Sequence, residues 1–345
     1  MKIKNQILSF VAILAIALMT YSCSTDEPKE VTPLKSIVDI AKEDPTNFSI
    51  LVDALKKTGL EGTLTSAGSY TVFAPTNAAF IAAGYTSTRI NSWAVPANNP
   101  DIATLRLILQ NHVIGIGTKS DDLLAAGYTR TFASVRVPST GTTSVNLNVF
   151  VKTVGNDVLV NGGVANGGAK VTTANIVASN GFIHVVDGVI LLPTIVSHIK
   201  ANPILSSLLA VVSSTPQASV LTTLNGATAA APITVYAPDN GAFTAANATG
   251  GSLVGKTDAQ VTTILRYHLE NANRTSSSAT SFTSSSATAD VSVSTLFTPN
   301  KFTILLGTVK IKDIVGTTNG TIKTVNIQGI NGALHVIDKV LQPSM

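Results

Sequence analysis

"TVFAPTNAAF", residues 71–80, recurs further along the chain as "TVYAPDNGAF", residues 234–243. Each copy begins with β-branched and aromatic residues, which favour a strand, and then reaches a proline, which ends it. The next residue is Thr76 in the first copy and Asp239 in the second. Thr and Asp both cap helix N-termini, but they do not replace each other as nucleophiles or metal ligands. The substitution therefore predicts a strand-to-helix corner with a structural role.

Three further pairs of residues complete the predicted corner, with one member from each copy. The prolines end the strands, the asparagines begin the helices, and the phenylalanines anchor those helices in the core. The pairs are Pro75 and Pro238, Asn77 and Asn240, and Phe80 and Phe243.

Two other motifs recur in the same order as the corner. "LILQNHVI" (107–114) returns as "ILRYHLEN" (264–271), and "GFIHVVDGVILLP" (181–193) returns as "GALHVIDKVLQP" (332–343). Three ordered matches indicate an internal duplication, and 345 residues are enough for two domains. The predicted domains are residues 34–195 and residues 196–345.

Each copy has helical periodicity first and strand alternation later, which predicts an α+β fold. The first helical pattern is broken at Pro45, with Thr46 and Asn47 as candidate N-caps and Gly59 as a stop. The Ser/Thr-rich tract 275–295 is either a sticky or glycosylated stalk or a loop leading into an edge strand, and its Val/Ser ending favours the loop. Strands are predicted over 145–153, 158–163 and 302–314.

The N-terminus has the features of an export signal. Lys2 and Lys4 precede an apolar run over residues 7–19, which is too short to span a bilayer, and a small residue follows. Residues 1–22 are therefore predicted to be a cleaved signal peptide. Once it is removed, 21 basic residues face 19 acidic ones without a basic cluster, which argues against nucleic-acid binding.

Cys23 is the only cysteine of the chain and lies directly after this signal. Ser22-Cys23 resembles a bacterial lipobox, which implies that Cys23 is acylated and joins the protein to a membrane. The alternative is a free thiol at the end of a retained anchor. Residues 23–33 read as an acidic tether. The tether resembles the acidic stretch that directs surface display in Bacteroidetes-type lipoproteins, which implies an outer-membrane lipoprotein, surface-exposed or alternatively periplasmic.

Four histidines lie in apolar surroundings. His112 and His268 fall on the apolar faces of predicted helices, while His184 and His335 lie in apolar runs typical of central strands. A single histidine in such a place is usually neutral and hydrogen-bonded to the backbone, and we prefer this interpretation to catalysis or metal binding.

Two aspartates follow the strand histidines at a spacing of three. Asp187 and Asp338 should therefore point to the opposite face of each strand from the histidine, where the two side chains cannot form one site. The sequence contains no nucleophile elbow, P-loop or zinc-protease motif. We predict no catalytic residue, no metal site and no cofactor.

Together, "YTVFAPTNAAF", "NHVI", "SDDLLAAGYTRTF" (120–132) and "NGFIHVVDGVILLP" resemble the fasciclin-like (FAS1) domain family, and the second copy keeps both end motifs. The resemblance implies two wedge-shaped domains, each a twisted β-sandwich with helices packed against it. It also implies a role in adhesion or in an extracellular matrix. A Tyr-His adhesive motif of the family is matched by Tyr267-His268, and Asn111 replaces the tyrosine in the first copy.

These observations favour an adhesion or binding lipoprotein whose partner is an extracellular matrix polymer, a polysaccharide or a surface protein. Two domains on one tethered chain would gain avidity from two weak sites. The alternative is a carrier of an apolar ligand such as a carotenoid or lipid, because some members of the resembled family bind carotenoids. A hydrolase of envelope polymers is a third hypothesis.

Overall fold

The computed structural model of the chain describes most of the residues that follow the N-terminal segment. The predicted signal peptide, nearly all of the predicted tether and the middle of the Ser/Thr-rich tract lie outside the described residues. Lys35 to Met345 form one compact unit. The described ranges are 33–94, 99–136, 144–248, 253–276, 289–305, 307–316 and 319–345.

The described α-helices fall into two groups, one in each domain. The first group belongs to domain 1, the first of the two repeated halves, and consists of α1 (Ile37–Glu43), α2 (Pro45–Thr58), α3 (Glu61–Thr65), α4 (Asn77–Ala82), α5 (Ser87–Ser92), α6 (Pro100–Asn111) and α7 (Ser120–Ala126). The second group belongs to domain 2 and consists of α8 (Ile195–Ala201), α9 (Ser206–Val212), α10 (Ala218–Gly226), α11 (Asn240–Ala248) and α12 (Asp258–Tyr267).

The start of α2 differs from the sequence prediction. Its N-cap is Asp44, whose side chain accepts the Asn47 N–H, and neither Thr46 nor Asn47 is the cap. The reason is Pro45, which occupies the first helical position because that position needs no N–H, so the cap moves to the residue before it. Gly59 ends the helix with φ of 71°, as predicted.

None of the described helices is by itself long and apolar enough to cross a membrane. Ile195–Ala201 and Pro203–Val212, bent by 103°, reach the required length and composition only as a pair. Their apolar side chains include Ile195, Ile199 and Leu208, which are buried in the core of domain 2. This pair is a core element of the domain.

Each domain contains a seven-stranded sheet. In domain 1 the strands are β1 (Tyr70–Pro75), β2 (Val113–Ile114), β3 (Tyr128–Arg136), β4 (Ser144–Val154), β5 (Asp157–Val160), β6 (Ala169–Ala178) and β7 (Gly181–Val186). In domain 2 they are β8 (Ile233–Pro238), β9 (Leu269–Glu270), β10 (Val291–Ser294), β11 (Lys301–Ile304), β12 (Lys310–Lys312), β13 (Gly320–Gly329) and β14 (Gly332–Ile337).

The two sheets have the same topology. The strand order is β2-β1-β7-β6-β5-β4-β3 in domain 1 and β9-β8-β14-β13-β12-β11-β10 in domain 2. Only the pairs β1–β7 and β8–β14 are parallel, and they join the first strand of each domain to its last. The predicted strand over 302–314 is a pair, β11 and β12, and the Ser/Thr-rich tract leads into β10, at the end of its sheet.

Each domain has two apolar cores, one on either side of its sheet. In domain 1 the helices pack on one side around Phe48, Leu109 and Ile183. On the other side the strands enclose a second core that includes Phe73 and Val149. Domain 2 has the same division, which agrees with the α+β class and with helices packed against a curved β-layer.

Domain 1 and domain 2 meet at a junction formed by strands β3 and β4 and by helix α8. Ala133 and Leu147 of domain 1 pack with Ile330 of domain 2. The Gln328 N–H donates to Asn148 Oδ1 at 2.9 Å, and all of these groups are buried or nearly so. The junction therefore joins the two domains by apolar packing and by a buried hydrogen bond.

Helix α8 supplies the rest of the junction. The His198 ring stands edge-on to Tyr128, with ring centroids 5.6 Å apart, and the Asn202 amide donates to the Tyr128 hydroxyl at 3.3 Å. The Asn166 amide donates across the junction to Ser197 O at 2.8 Å. This side of domain 1 is consequently covered by domain 2.

Candidate functional site

The corner after β1 is held by Thr76. Its hydroxyl accepts the Ala79 N–H at 3.2 Å, and its own N–H donates to Val186 O at 3.3 Å. In domain 2 the Asp239 carboxylate accepts the Ala242 N–H at 2.7 Å. Both residues lie at helix N-cap positions, where Thr and Asp serve equally well.

The prolines and phenylalanines of the corner also occupy structural positions. Pro75 and Pro238 are the last residues of β1 and β8. Phe80 is fully buried, and Phe243 is nearly so, each in the helix-side core of its domain. The corner is therefore a joint between strand and helix.

Asn77 has a role that its position in the sequence did not reveal. Its Oδ1 accepts the Ile50 N–H at 2.9 Å, and its Nδ2 donates to Pro45 O at 3.1 Å and to Thr46 O at 2.9 Å. Nδ2 also lies 3.0 Å from Ser49 Oγ. One amide thus ties the start of α4 to the first turn of α2.

Asn240 makes the same joint in domain 2. Its Oδ1 accepts the Ser207 N–H at 2.9 Å, and its Nδ2 donates to Pro203 O and to Ser206 Oγ, both at 3.0 Å. The repeated asparagine therefore explains why an amide follows the cap in both copies, since only an amide offers an acceptor and two donors.

His112 and His268 lie just after helices α6 and α12. His112 Nδ1 donates to Ile108 O at 2.8 Å, and its Nε2 accepts the Ile190 N–H at 2.9 Å. His268 makes the same two bonds in domain 2, at 2.8 and 2.9 Å. Each ring is thus a neutral imidazole with its proton on Nδ1, and both nitrogens are engaged by the backbone.

His184 and His335 use the other tautomer. His184 Nδ1 accepts the Asn175 N–H at 3.2 Å, and its Nε2 donates to Thr118 O at 3.1 Å. His335 repeats the pattern at 3.1 and 2.9 Å. Asn175 and Asn326, whose N–H groups are accepted, have φ of 63° and 60°, at irregularities in β6 and β13. The histidine satisfies the N–H that such a bulge frees.

Asp187 and Asp338 do not meet the histidines. Asp187 Oδ1 accepts the Lys170 N–H at 2.7 Å, and Asp338 Oδ1 accepts the Thr321 N–H at 2.5 Å. Each carboxylate therefore joins the end of one strand to the backbone of the neighbouring strand. Among the described residues, no three His, Cys, Asp or Glu side chains are grouped so that they could hold a metal ion.

Tyr267 and His268 do not form a surface motif, which corrects the adhesive role that the resemblance implied. Tyr267 is fully buried, and its hydroxyl donates to Lys301 O at 2.7 Å and accepts the Ile314 N–H at 3.3 Å. His268 is also buried. A partner could reach these rings only if the domain opened. Asn111, which replaces the tyrosine in domain 1, is buried as well.

Burial sets the protonation of these histidines. Loss of solvent lowers the pKa of His112, His268 and His335 from 6.5 to about 4, and it lowers the pKa of His184 as well. His198 at the domain junction, which the sequence did not single out, has its pKa lowered to about 4 for the same reason. All five rings are neutral at neutral pH, as the hydrogen bonds require.

The comparison with protein families matches the whole set of corner, histidine and aspartate motifs. The Fasciclin domain model matches residues 46–193 and again residues 205–343. The chain belongs to the fasciclin domain family. This membership supports a general adhesion or binding role.

Three relatives give the family match its context. Protein sll1483 of Synechocystis sp. is 31% identical over 204 residues, which are 56% of this chain and 99% of that protein. The transforming growth factor-beta-induced protein ig-h3 of Sus scrofa is 50% identical over 48 residues, which are 14% of this chain and 7% of that protein. The solved FAS1 domain pair of the insect cell adhesion molecule Fasciclin I covers 89% of this chain and 95% of its own, with 18% identity and a TM-score of 0.47.

The second fasciclin domain carries an open polar groove that the sequence analysis did not find. The groove has a volume of about 370 Å³ and lies on the outer side of β11 and β12. Its lining residues are Asp290, Lys301, Thr303, Leu305, Lys312, Asp313 and Ile314. Lys301 lies just before the predicted strand over 302–314 and Lys312 lies within it, and the pairing of Thr303 with Lys312 brings the two lysines together.

The first fasciclin domain contains an apolar cavity between its helices and its sheet. Leu51, Leu109 and Ile183 are among its lining residues, and His112 is the polar one. The cavity measures about 30 Å³. Pockets for small molecules measure about 300–1,000 Å³, so this space accommodates water-sized groups and does not accommodate a carotenoid.

We expect the corner to tolerate a change of cap and to be sensitive to loss of the asparagine. Thr76→Asp should leave the free energy of unfolding nearly unchanged because both residues cap, whereas Thr76→Ala should lower it by about 0.5–2 kcal/mol. Asn77→Ala should lower it by about 1–3 kcal/mol because the Ile50 N–H loses its acceptor. Denaturant unfolding of the full chain measures all three.

Asn91→Ala is the control for that series, since Asn91 is an exposed asparagine in the neighbouring helix α5. Its unfolding midpoint should equal that of the unchanged chain. If Asn77→Ala were as stable as Asn91→Ala, the joint between α2 and α4 would contribute nothing to stability.

The buried histidines predict that stability falls in mild acid. An unfolded histidine has a pKa of about 6.5, whereas the buried rings have a pKa of about 4. Between these two pH values the unfolded chain binds a proton that the folded ring does not bind. The free energy of unfolding should therefore be highest above pH 6.5. It should fall between pH 6.5 and pH 4 by about 1.4 kcal/mol per pH unit for each titrating ring. Urea midpoints between pH 4 and 8 measure the slope, and His112→Gln should reduce it. A slope unchanged in His112→Gln would contradict this account.

Proposed function

We propose that this protein is an envelope-anchored adhesion lipoprotein that binds an anionic polysaccharide of a matrix or of a neighbouring cell surface. The groove of domain 2 is the observation that carries the proposal, and the predicted acylation of Cys23 supplies the anchor. Membership of the fasciclin family supports the general adhesive role. The finer choice of a polysaccharide rests on the chemistry of the groove.

The groove presents two exposed lysines along an open channel, which Asp290 also lines. Lys301 and Lys312 are exposed, and neither forms an ion pair with another described residue. Asp313 does not neutralise them, because its carboxylate is fully buried and is engaged by Lys339 and by the Gln342 N–H. Carboxylate or sulfate groups of a polymer could therefore pair with the two lysines, while Thr303 offers a hydroxyl to sugar oxygens.

The counterpart of this groove in domain 1 is buried in the junction. The register of β4 with β5 places Phe150 where domain 2 has Thr303, and Asn148 where it has Lys301. Phe150 packs against Tyr128, which His198 covers, and Asn148 binds Gln328. Avidity from two equal sites on one chain is therefore not part of the proposal.

The two lysines can be tested directly. The double variant Lys301→Gln with Lys312→Gln should bind immobilised alginate or hyaluronate at least about tenfold more weakly, since exposed charge pairs contribute up to about 1 kcal/mol each and both are lost. The full chain should also bind more weakly as salt rises, because exposed charges are screened. Surface plasmon resonance on the polymer-coated surface measures both effects.

The matched control is Lys119→Gln with Lys200→Gln, which removes the same charge from two exposed lysines outside the groove. This variant should bind as the unchanged chain does, and neutral dextran should not bind either protein. If both double variants lost affinity equally, binding would follow net charge alone, and the groove would not be the site.

A further inference from the structure

Domain 1 has an exposed apolar face at the end of its sheet where the chain enters the domain. We call it the leading face and define it by Tyr70, Ile116, Phe132, Val177 and Phe182. Ile116 is 68% exposed, Val177 is 52% exposed and Phe132 is 36% exposed. Apolar side chains of this size that lie together on a surface commonly mark a contact with a membrane or a partner.

The side chains of the leading face form two pairs that lie on either side of the loop after β2. Val177 and Phe182 lie directly opposite each other on β6 and β7. The loop after β2 passes beside them: a Cβ placed on Gly117 would lie 3.6 Å from the Phe182 ring, and one on Gly115 would touch Phe132. Phe132 in turn packs edge-on against Tyr70, with centroids 5.9 Å apart.

The same part of domain 2 belongs to the junction. The register of β13 with β14 places Gln328 where domain 1 has Val177, and Ile330 where it has Ser179. Gln328 binds Asn148, and Ile330 packs against domain 1. In domain 2 this part of the fold is therefore covered by domain 1, which precedes it in the chain.

In domain 1 the segment that precedes the corresponding face is the predicted tether and its lipid anchor. The Ser179 N–H donates to Lys35 O at 2.8 Å, so the chain enters the domain next to Val177. Cys23 lies twelve residues before Lys35. Twelve residues span at most about 40 Å, so an acyl chain on Cys23 keeps this end of the domain close to the bilayer.

We propose that the leading face rests on the surface of the bilayer to which Cys23 is anchored. The proposal depends on the acylation that forms part of the proposed function. Ile116, Val177 and Phe132 enter the boundary between headgroups and acyl chains, to a depth of about 5–10 Å. The anchor holds the domain near the membrane, and the apolar face fixes the orientation in which it lies.

The test uses the full chain purified from a host that acylates it and inserted into vesicles of phosphatidylethanolamine and phosphatidylglycerol. A fluorescent label is attached to Val177→Cys, and Val154→Cys is the matched control. Val154 is 50% exposed, close to the value for Val177, but it lies on β4, two strands along the sheet from β6, beside the turn between β4 and β5. Vesicles with brominated acyl chains quench a label that enters the membrane.

We expect bromolipids to quench the Val177→Cys label by more than half and to leave the Val154→Cys label unchanged. Adding Ile116→Glu should abolish that quenching without releasing the protein from the vesicles, because a charge disfavours entry into the bilayer. Equal behaviour of the two labels would overturn the proposal. A Val177→Cys label that is shielded by added unlabelled protein, and not by lipid, would identify a contact between copies and would also overturn it.

The mass of the purified chain separates this proposal from the proposed function. An acylated chain whose Val177→Cys label stays in water would refute the leading face alone and leave the anchor in place. A chain without acyl groups would refute the anchor and, with it, the orientation proposed here. Loss of polysaccharide binding in the groove variants bears on neither result, since the groove lies on domain 2.

Discussion

A neutral imidazole bonded to the backbone through both ring nitrogens is the interaction on which each domain depends. His112 joins the end of α6 to the segment after β7, whereas His184 joins β6 to the loop before α7. The long-range bond of each ring spans 78 residues for His112 and 66 residues for His184. The parallel pairing of β1 with β7 likewise joins the first strand of the domain to its last, and a long closure of this kind carries an entropy cost that the buried histidines help to offset.

The local features of this fold could be predicted from sequence, and the long-range ones could not. Exchange of Thr76 for Asp239 was enough to identify a capped corner, because capping is decided within four residues. The joint made by Asn77 depends on Ile50, 27 residues away, and no spacing in the sequence indicates it. The cap of α2 is also a local feature, since proline favours the first helical position and Pro45 therefore makes Asp44 the cap.

The candidate sites were harder to predict for the same physical reason. The groove needs Lys301 and Lys312 from different strands, and only the register of β11 with β12 brings them together. The sequence shows Tyr267 and His268 as a motif, but it does not show whether they are exposed. Burial depends on the packing of the whole domain, and both rings are buried in the structure. Residue type thus indicated the family, whereas position in the folded domain decided which side chains can meet a partner.

Duplication explains why the two free faces differ. The junction covers the part of domain 1 that corresponds to the groove and the part of domain 2 that corresponds to the leading face. The groove is therefore exposed only on domain 2, and the leading face only on domain 1. At the leading side Val177 is exposed where Gln328 is buried, and at the groove side Lys301 is exposed where Asn148 is buried. An exposed valine is favoured where the neighbouring phase is apolar, and an exposed lysine where it is water or a polyanion. Under the proposed anchoring through domain 1, the apolar free face would lie toward the membrane and the lysine-bearing face of domain 2 toward the aqueous side.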